Sequence, residues 1–112
     1  MNPLAVPIPY TWVLALSAVL FALGALGVLL RRNGIAIFLS LEIMLNSANL
    51  AFVAFAMKLA VTSTEAALAG QLFVFFVIGV AAAEAAVGLA LFIALHRRNG
   101  SIDVDRVNIL RW

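Results

Sequence analysis

Three stretches of this 112-residue chain are apolar for long enough to cross a bilayer as helices, which takes about 20 residues. They cover about 10–30, 35–57 and 66–95. The first ends at Arg31-Arg32-Asn33-Gly34, the second at Lys58, and the third at His96-Arg97-Arg98-Asn99-Gly100. Charge or turn residues set every boundary, which fixes the count at three. The rest of the composition agrees, with 66% hydrophobic and only 11% charged residues. A soluble domain of this size would be about half apolar and a quarter charged, and this chain has too few polar residues to cover a core. The expected fold is therefore all-α: an integral membrane protein with three transmembrane helices. Residues 1–112 form one membrane domain, ending in a short tail over 96–112.

The first stretch is not a signal peptide on this reading, because no Lys or Arg precedes it and it is too long for an h-region. Three prolines, Pro3, Pro7 and Pro9, keep the entry extended before Tyr10 and Trp12, which suit the membrane interface. Positive charge orients the bundle. Arg31 and Arg32 lie in the first loop, and Arg97, Arg98, Arg106 and Arg111 follow the third helix. With three spans these regions share a side, which the positive-inside rule makes the cytoplasm, leaving the N-terminus outside. Thr62 as N-cap with Glu65 three residues on has the form of a capping box for the third helix. The tail, "SIDVDRVNILRW", is short and amphipathic and is expected to lie against a partner subunit or the membrane interface.

Two carboxylates interrupt the apolar stretches. Glu42 lies about 12 Å from the loop end of the second helix and Glu84 about 16 Å from the tail end of the third, at 1.5 Å per residue. Both fall near the midplane of a core about 30 Å thick. Asn46 and Asn49 follow Glu42 at i+4 and i+7 and are expected on its face. Around Glu84, the small residues Ala81, Ala85 and Gly88 form a stripe that admits a close neighbour. A charge at such a depth costs about 2.5–3.5 kcal/mol even on a lenient scale. A buried carboxyl in general lowers its cost by taking up a proton, and a carboxyl that gains and loses one is what proton transfer through a membrane requires. Two at matched depth point to function. Asn46 and Asn49 read first as packing or hydrogen-bonding residues, and Arg31 and Arg32 as topology anchors able to hold the loop against a partner.

The chain has no cysteine, and its lone histidine, His96, sits beside two arginines. Neither a cysteine-based metal or iron–sulfur site nor a disulfide is therefore available. There is no Gly-rich phosphate loop and no nucleophile with a paired base, and a nucleic-acid partner is not expected. Three helices enclose little, so other helices must complete any ion path.

The "RRN" after the first helix, "LEIMLNSANLAF" in the second, and "AAAEAAVGLAL" followed by "LHRR" in the third together carry a resemblance. The chain resembles the small K-type membrane subunit of proton-pumping NADH:quinone oxidoreductase, complex I, the counterpart of the mitochondrial 4L subunit. The resemblance implies that Glu42 and Glu84 relay protons, or carry electrostatic coupling, between quinone reduction and antiporter-like subunits. It ties Arg31 and Arg32 to coupling and leaves Asn46 and Asn49 as candidate supporting polar residues. NADH, flavin mononucleotide, iron–sulfur clusters and quinone are bound by other subunits, so no cofactor, metal or redox centre is expected here. The implied partners are the lipid bilayer and other membrane subunits, above all antiporter-like and J/A-type small subunits, in the bacterial inner membrane.

Small subunits of multi-subunit sodium/proton antiporters share the three-helix plan but generally lack the paired glutamates. Membrane-bound hydrogenases and the plastoquinone-linked enzyme keep a similar subunit. Self-sufficient multidrug exporters of this length have four spans and one early acid. A purely structural assembly subunit would tolerate loss of both glutamates.

Overall fold

The computed structural model describes residues 7–106. Pro3, Arg111 and the last six residues of the tail, about which the sequence raised expectations, lie outside them. Three helices follow in order: α1 (Tyr10–Leu30), α2 (Gly34–Leu59) and α3 (Thr64–Asn99), then a short 3-10 turn at Val104–Arg106. All three are long and apolar enough to cross a membrane. The second and third run further than the apolar stretches alone indicate. At 36 residues, α3 is about 54 Å long at 1.5 Å per residue, well beyond a hydrocarbon core of about 30 Å.

Local chemistry sets the helix ends. Arg31 is extended and ends α1. Two residues later the Asn33 side chain caps α2, its Oδ1 accepting from the backbone N–H groups of Ile35 and Ala36 at 2.9 and 3.2 Å. The capping box expected at Thr62 does not form. Thr62 Oγ1 instead donates back to the Leu59 carbonyl at 3.1 Å, and Ser63 caps α3 by accepting from Ala66 N–H at 3.3 Å. Thr62 is still engaged in the last turn of α2, so the cap moves one residue on. Glu65 remains in the first turn of α3, where a carboxylate suits the helix dipole. At the other end Gly100 has φ 68°, the left-handed conformation that glycine adopts without strain, and its N–H closes on the His96 carbonyl.

α2 lies between the other two helices and packs against both. The α1 seam is built from small residues. A Cβ on Gly24 would stand 2.5 Å from Met44 Cγ and 2.8 Å from the Ser40 carbonyl, so only glycine admits this approach. The Ser17 hydroxyl crosses the seam to the Ser47 carbonyl at 2.6 Å, while Ser47 and Ser40 return their own hydroxyls to Met44 and Ala36 carbonyls. Buried hydroxyls here are therefore bonded, as a hydrocarbon setting demands. At the far ends of α1 and α2, Lys58 Nζ sits 5.6 Å from the centroid of the Tyr10 ring, within cation–π range.

On its opposite side α2 meets α3. Buried Ala67, Val74 and Ala81 recur every seven residues along α3, the spacing of a coiled-coil seam. Most large apolar side chains face outward. Phe75 and Phe76 expose 73% and 75% of their surface, which suits lipid or partner helices and not water.

The start of the tail, expected against a partner subunit or the membrane interface, makes its contacts among the described residues within the chain. Residues 101–105 fold back on the chain's own first loop. Asn33 and Asp103 form an antiparallel bridge, with Gly34 N–H donating to the Ile102 carbonyl at 2.9 Å and Val104 N–H to the Arg32 carbonyl at 3.1 Å. Arg32 Nε and Asp105 Oδ2 add an ion pair at 3.3 Å. The Arg32 carbonyl and the Gly34 N–H of the loop are thereby satisfied within the chain.

Candidate functional site

The register of the α2–α3 seam places the two membrane glutamates. Gly34 lies against Phe92, Phe38 against Gly88, and Ala56 against Gly70, with the Phe52 and Phe73 rings 5.0 Å apart between them. The helices are antiparallel, so each step forward on α2 matches one step back on α3. Four residues past Phe38 and four before Gly88 stand Glu42 and Glu84. They share one level, a closer match than counting from the apolar boundaries gives, because α3 overhangs the start of α2.

They do not face each other. Phe38 and Ala56 are eighteen residues apart, as are Gly70 and Gly88. That is five helical turns, so each pair marks the contact line of its helix. A step of four residues turns a side chain about 40° off that line. Both glutamates are displaced in the same screw sense about their own axes. On helices that face one another, this carries them to opposite flanks of the seam. Glu42 is half-buried and Glu84 exposed. Neither carboxylate makes a side-chain hydrogen bond or ion pair among the described residues.

Glu84 opens into a groove of about 530 Å³ lined by Phe38, Val80, Ala83, Val87, Gly88 and Leu91. Every other side chain there is apolar, so the groove itself offers Glu84 no polar partner. Of its small-residue stripe, Ala81 is buried, Ala85 half-buried, and Gly88 lies directly under Phe38 of α2. The stripe therefore admits the chain's own second helix and leaves the acid at its edge.

The sequence over residues 12–112 matches the family described as NADH-ubiquinone/plastoquinone oxidoreductase chain 4L. The chain belongs to this family. It is 54% identical over 99 residues to the NADH-quinone oxidoreductase subunit K 2 of Geotalea uraniireducens, covering 88% of this chain and 93% of that one. It is 53% identical over 104 residues to subunit K of Roseiflexus castenholzii, covering 93% and 98%. Identity is 47% over 112 residues, the full length of both chains, to subunit K of Leptospira biflexa. The resemblance read from the sequence is thus confirmed, and the antiporter and hydrogenase alternatives are not favoured.

The remaining polar residues of this chain 4L member separate. Asn49 lies about 20° from the α2 contact line and is only 6% exposed, with its Nδ2 buried and unpartnered. Asn46, about 80° off the line, is exposed on the Glu42 flank. The single polar face expected for Glu42, Asn46 and Asn49 is thus divided between flank and seam. Arg31 and Arg32 are exposed at the loop end and are not gathered with the glutamates. Arg32 pairs with the chain's own Asp105. Among the described residues no three His, Cys, Asp or Glu side chains converge on a metal-sized site.

Sequence reasoning missed Phe38, whose ring sits where a Cβ on Gly88 would come within 2.6 Å. A signal was present: aligning the two helices antiparallel on their glutamates sets the bulkiest neighbour of Glu42 opposite the smallest neighbour of Glu84. Asp105 carried no such signal, because its pairing with Arg32 depends on the tail folding back.

Proposed function

We propose that this chain is a membrane-arm subunit of NADH:quinone oxidoreductase that takes part in proton translocation. In this role it couples quinone reduction to antiporter-like subunits through Glu42 and Glu84. The observation that carries the proposal is the placement of two carboxylates at one level, on opposite flanks of one helix pair. A neighbour on the Glu42 flank and another on the Glu84 flank are then linked across the chain by two ionisable groups, with Asn46 beside Glu42 and apolar side chains around Glu84. Charge or protons pass sideways through the membrane arm, from one subunit to the next. The groove at Glu84 supports this direction, since its only polar group faces outward.

The three helices are inserted with the loop-and-tail end, which carries the arginines, on the cytoplasmic side of a bacterial inner membrane. The neighbours are an antiporter-like subunit and small subunits of the J/A type. NADH, flavin, iron–sulfur clusters and quinone belong to other subunits, and this chain supplies no redox step. Its share of the work is to hold two carboxyls where protons are exchanged and to exclude water around them.

The test is the ratio of protons moved to quinone reduced in membrane vesicles bearing the assembled complex. Glu42→Gln and Glu84→Gln remove the titrating group and keep the size. Each is expected to assemble and to lower that ratio strongly. Normal assembly with a wild-type ratio in both variants would remove the relay reading and leave a structural role.

A further inference from the structure

Two half-buried aromatic side chains line the loop-and-tail end of the seam. Phe92 lies against Gly34, where an added Cβ would stand 2.5 Å from its ring and 3.0 Å from the Ile102 carbonyl. One layer deeper, Phe38 lies over Gly88, where an added Cβ would come 2.6 and 2.7 Å from two ring carbons. The two rings meet edge to face at 5.9 Å. Phe38 is one turn from Glu42 on α2, and Gly88 is one turn from Glu84 on α3. Phe38 also lines the Glu84 groove, with Leu91. Anything passing from the loop-and-tail surface toward the glutamate level along this seam meets Ile102, then Phe92, then Phe38.

We propose that Phe38, seated on Gly88 and backed by Phe92, is the hydrophobic plug that separates the Glu42–Glu84 level from water at the loop-and-tail end. The inference rests on the relay reading above and adds to it a positioning residue that never titrates. A relay between subunits moves protons productively only if its carboxyls do not also equilibrate with the nearest aqueous phase, and water exclusion is what suppresses such leakage. Phenylalanine suits this position because it fills the space that glycine leaves opposite it and offers no hydrogen bond to a water file. The two glycines are needed because any Cβ at those points would push a ring out of the seam.

The experiment uses the assembled complex in sealed vesicles. It measures the ratio of protons moved to quinone reduced, and the passive proton permeability with turnover inhibited. Phe38→Ala is expected to lower the ratio and to raise the permeability about threefold or more. Phe38→Leu, still apolar and branched, recovers part of both. Adding Glu84→Gln to Phe38→Ala is expected to abolish the extra permeability, which a general packing defect would not do. If Phe38→Ala fails to accumulate, Phe38→Val carries the same expectations with a smaller loss of volume. An assembled Phe38→Ala or Phe38→Val complex that is as proton-tight as wild type overturns the plug, and so does a leak that persists with Glu84→Gln. Those outcomes leave the relay standing as long as Glu84→Gln alone impairs pumping. A wild-type ratio in both single glutamine variants would sink the relay whatever Phe38 does.

Discussion

Glu42 and Glu84 stand at one level of the α2–α3 pair and leave it on opposite sides, each about 40° from the line where the helices touch. The relationship follows from the antiparallel register, which places Phe38 on Gly88 one turn nearer the loop. A pair of acids facing each other would share a proton and act as one site. A pair on opposite flanks suits the proposed role of a bridge between two neighbours.

A bridge has a kinetic signature. If both carboxyls lie in series on one path, losing the second after the first adds little. The Glu42→Gln/Glu84→Gln double variant is therefore expected to pump no worse than the poorer single variant. Two independent paths would instead give the sum of the two single losses. The measurement is initial proton uptake in vesicles, normalised to the amount of assembled complex.

The α1–α2 seam makes a separate prediction about stability. The Ser17–Ser47 hydrogen bond joins the helices at 2.6 Å, but single interhelical hydrogen bonds in membranes average only about 0.6 kcal/mol. Gly24 is under tighter constraint, because an added Cβ meets Met44 and the Ser40 backbone. Overpacking of this kind costs about 1–3 kcal/mol. Ser17→Ala should thus be nearly silent in detergent unfolding of the full chain, and Gly24→Val clearly destabilising. Equal effects would show that the hydrogen bond, and not the close approach, holds the seam.

The helices and the two acids were legible in the sequence because each depends on local composition: long apolar runs, arginine and Asn-Gly at their ends, and carboxylates where none is expected. The common level of Glu42 and Glu84 was legible too, since helical rise is fixed. Their flanks were not, because a 40° offset acquires a side only once Phe38 and Gly88 define the contact line. The same limit divided Asn49 from Asn46: three residues decide between the seam and its edge. The fold-back of the tail's start was not legible for another reason. Its pairing with the first loop uses backbone groups of residues 32, 34, 102 and 104, and backbone groups leave no trace in side-chain pattern.

The start of α3 offers a test at single-residue resolution. Ser63 is the cap and Thr62 belongs to the preceding turn. Removing an N-cap hydroxyl typically costs about 1 kcal/mol. Ser63→Ala should therefore lower the stability of the full chain in detergent by about that amount, and Thr62→Ala by less. The reverse order would restore the capping box that the sequence suggested and move the helix start back by one residue.

The strap between tail and loop combines a weak element with a stronger one, and substitutions separate them. The Arg32 and Asp105 side chains are 81% and 63% exposed, and ion pairs so open to solvent contribute from nothing to about 1 kcal/mol, less as salt rises. The two backbone hydrogen bonds, from Gly34 to Ile102 and from Val104 to Arg32, are indifferent to side-chain charge. Asp105→Asn should therefore leave the strap closed, with amide exchange at Gly34 little changed. Val104→Pro deletes one N–H donor without needing a new backbone direction, since proline is accepted at the first position of a helical turn. It should raise exchange at Gly34 and across the α1–α2 loop. Exchanging the charges, with Arg32→Asp and Asp105→Arg together, should match wild type if the pair acts only within the chain. A loss of coupled activity in the swapped protein, with Gly34 still protected, would show that the Arg32 guanidinium also answers to a neighbouring subunit.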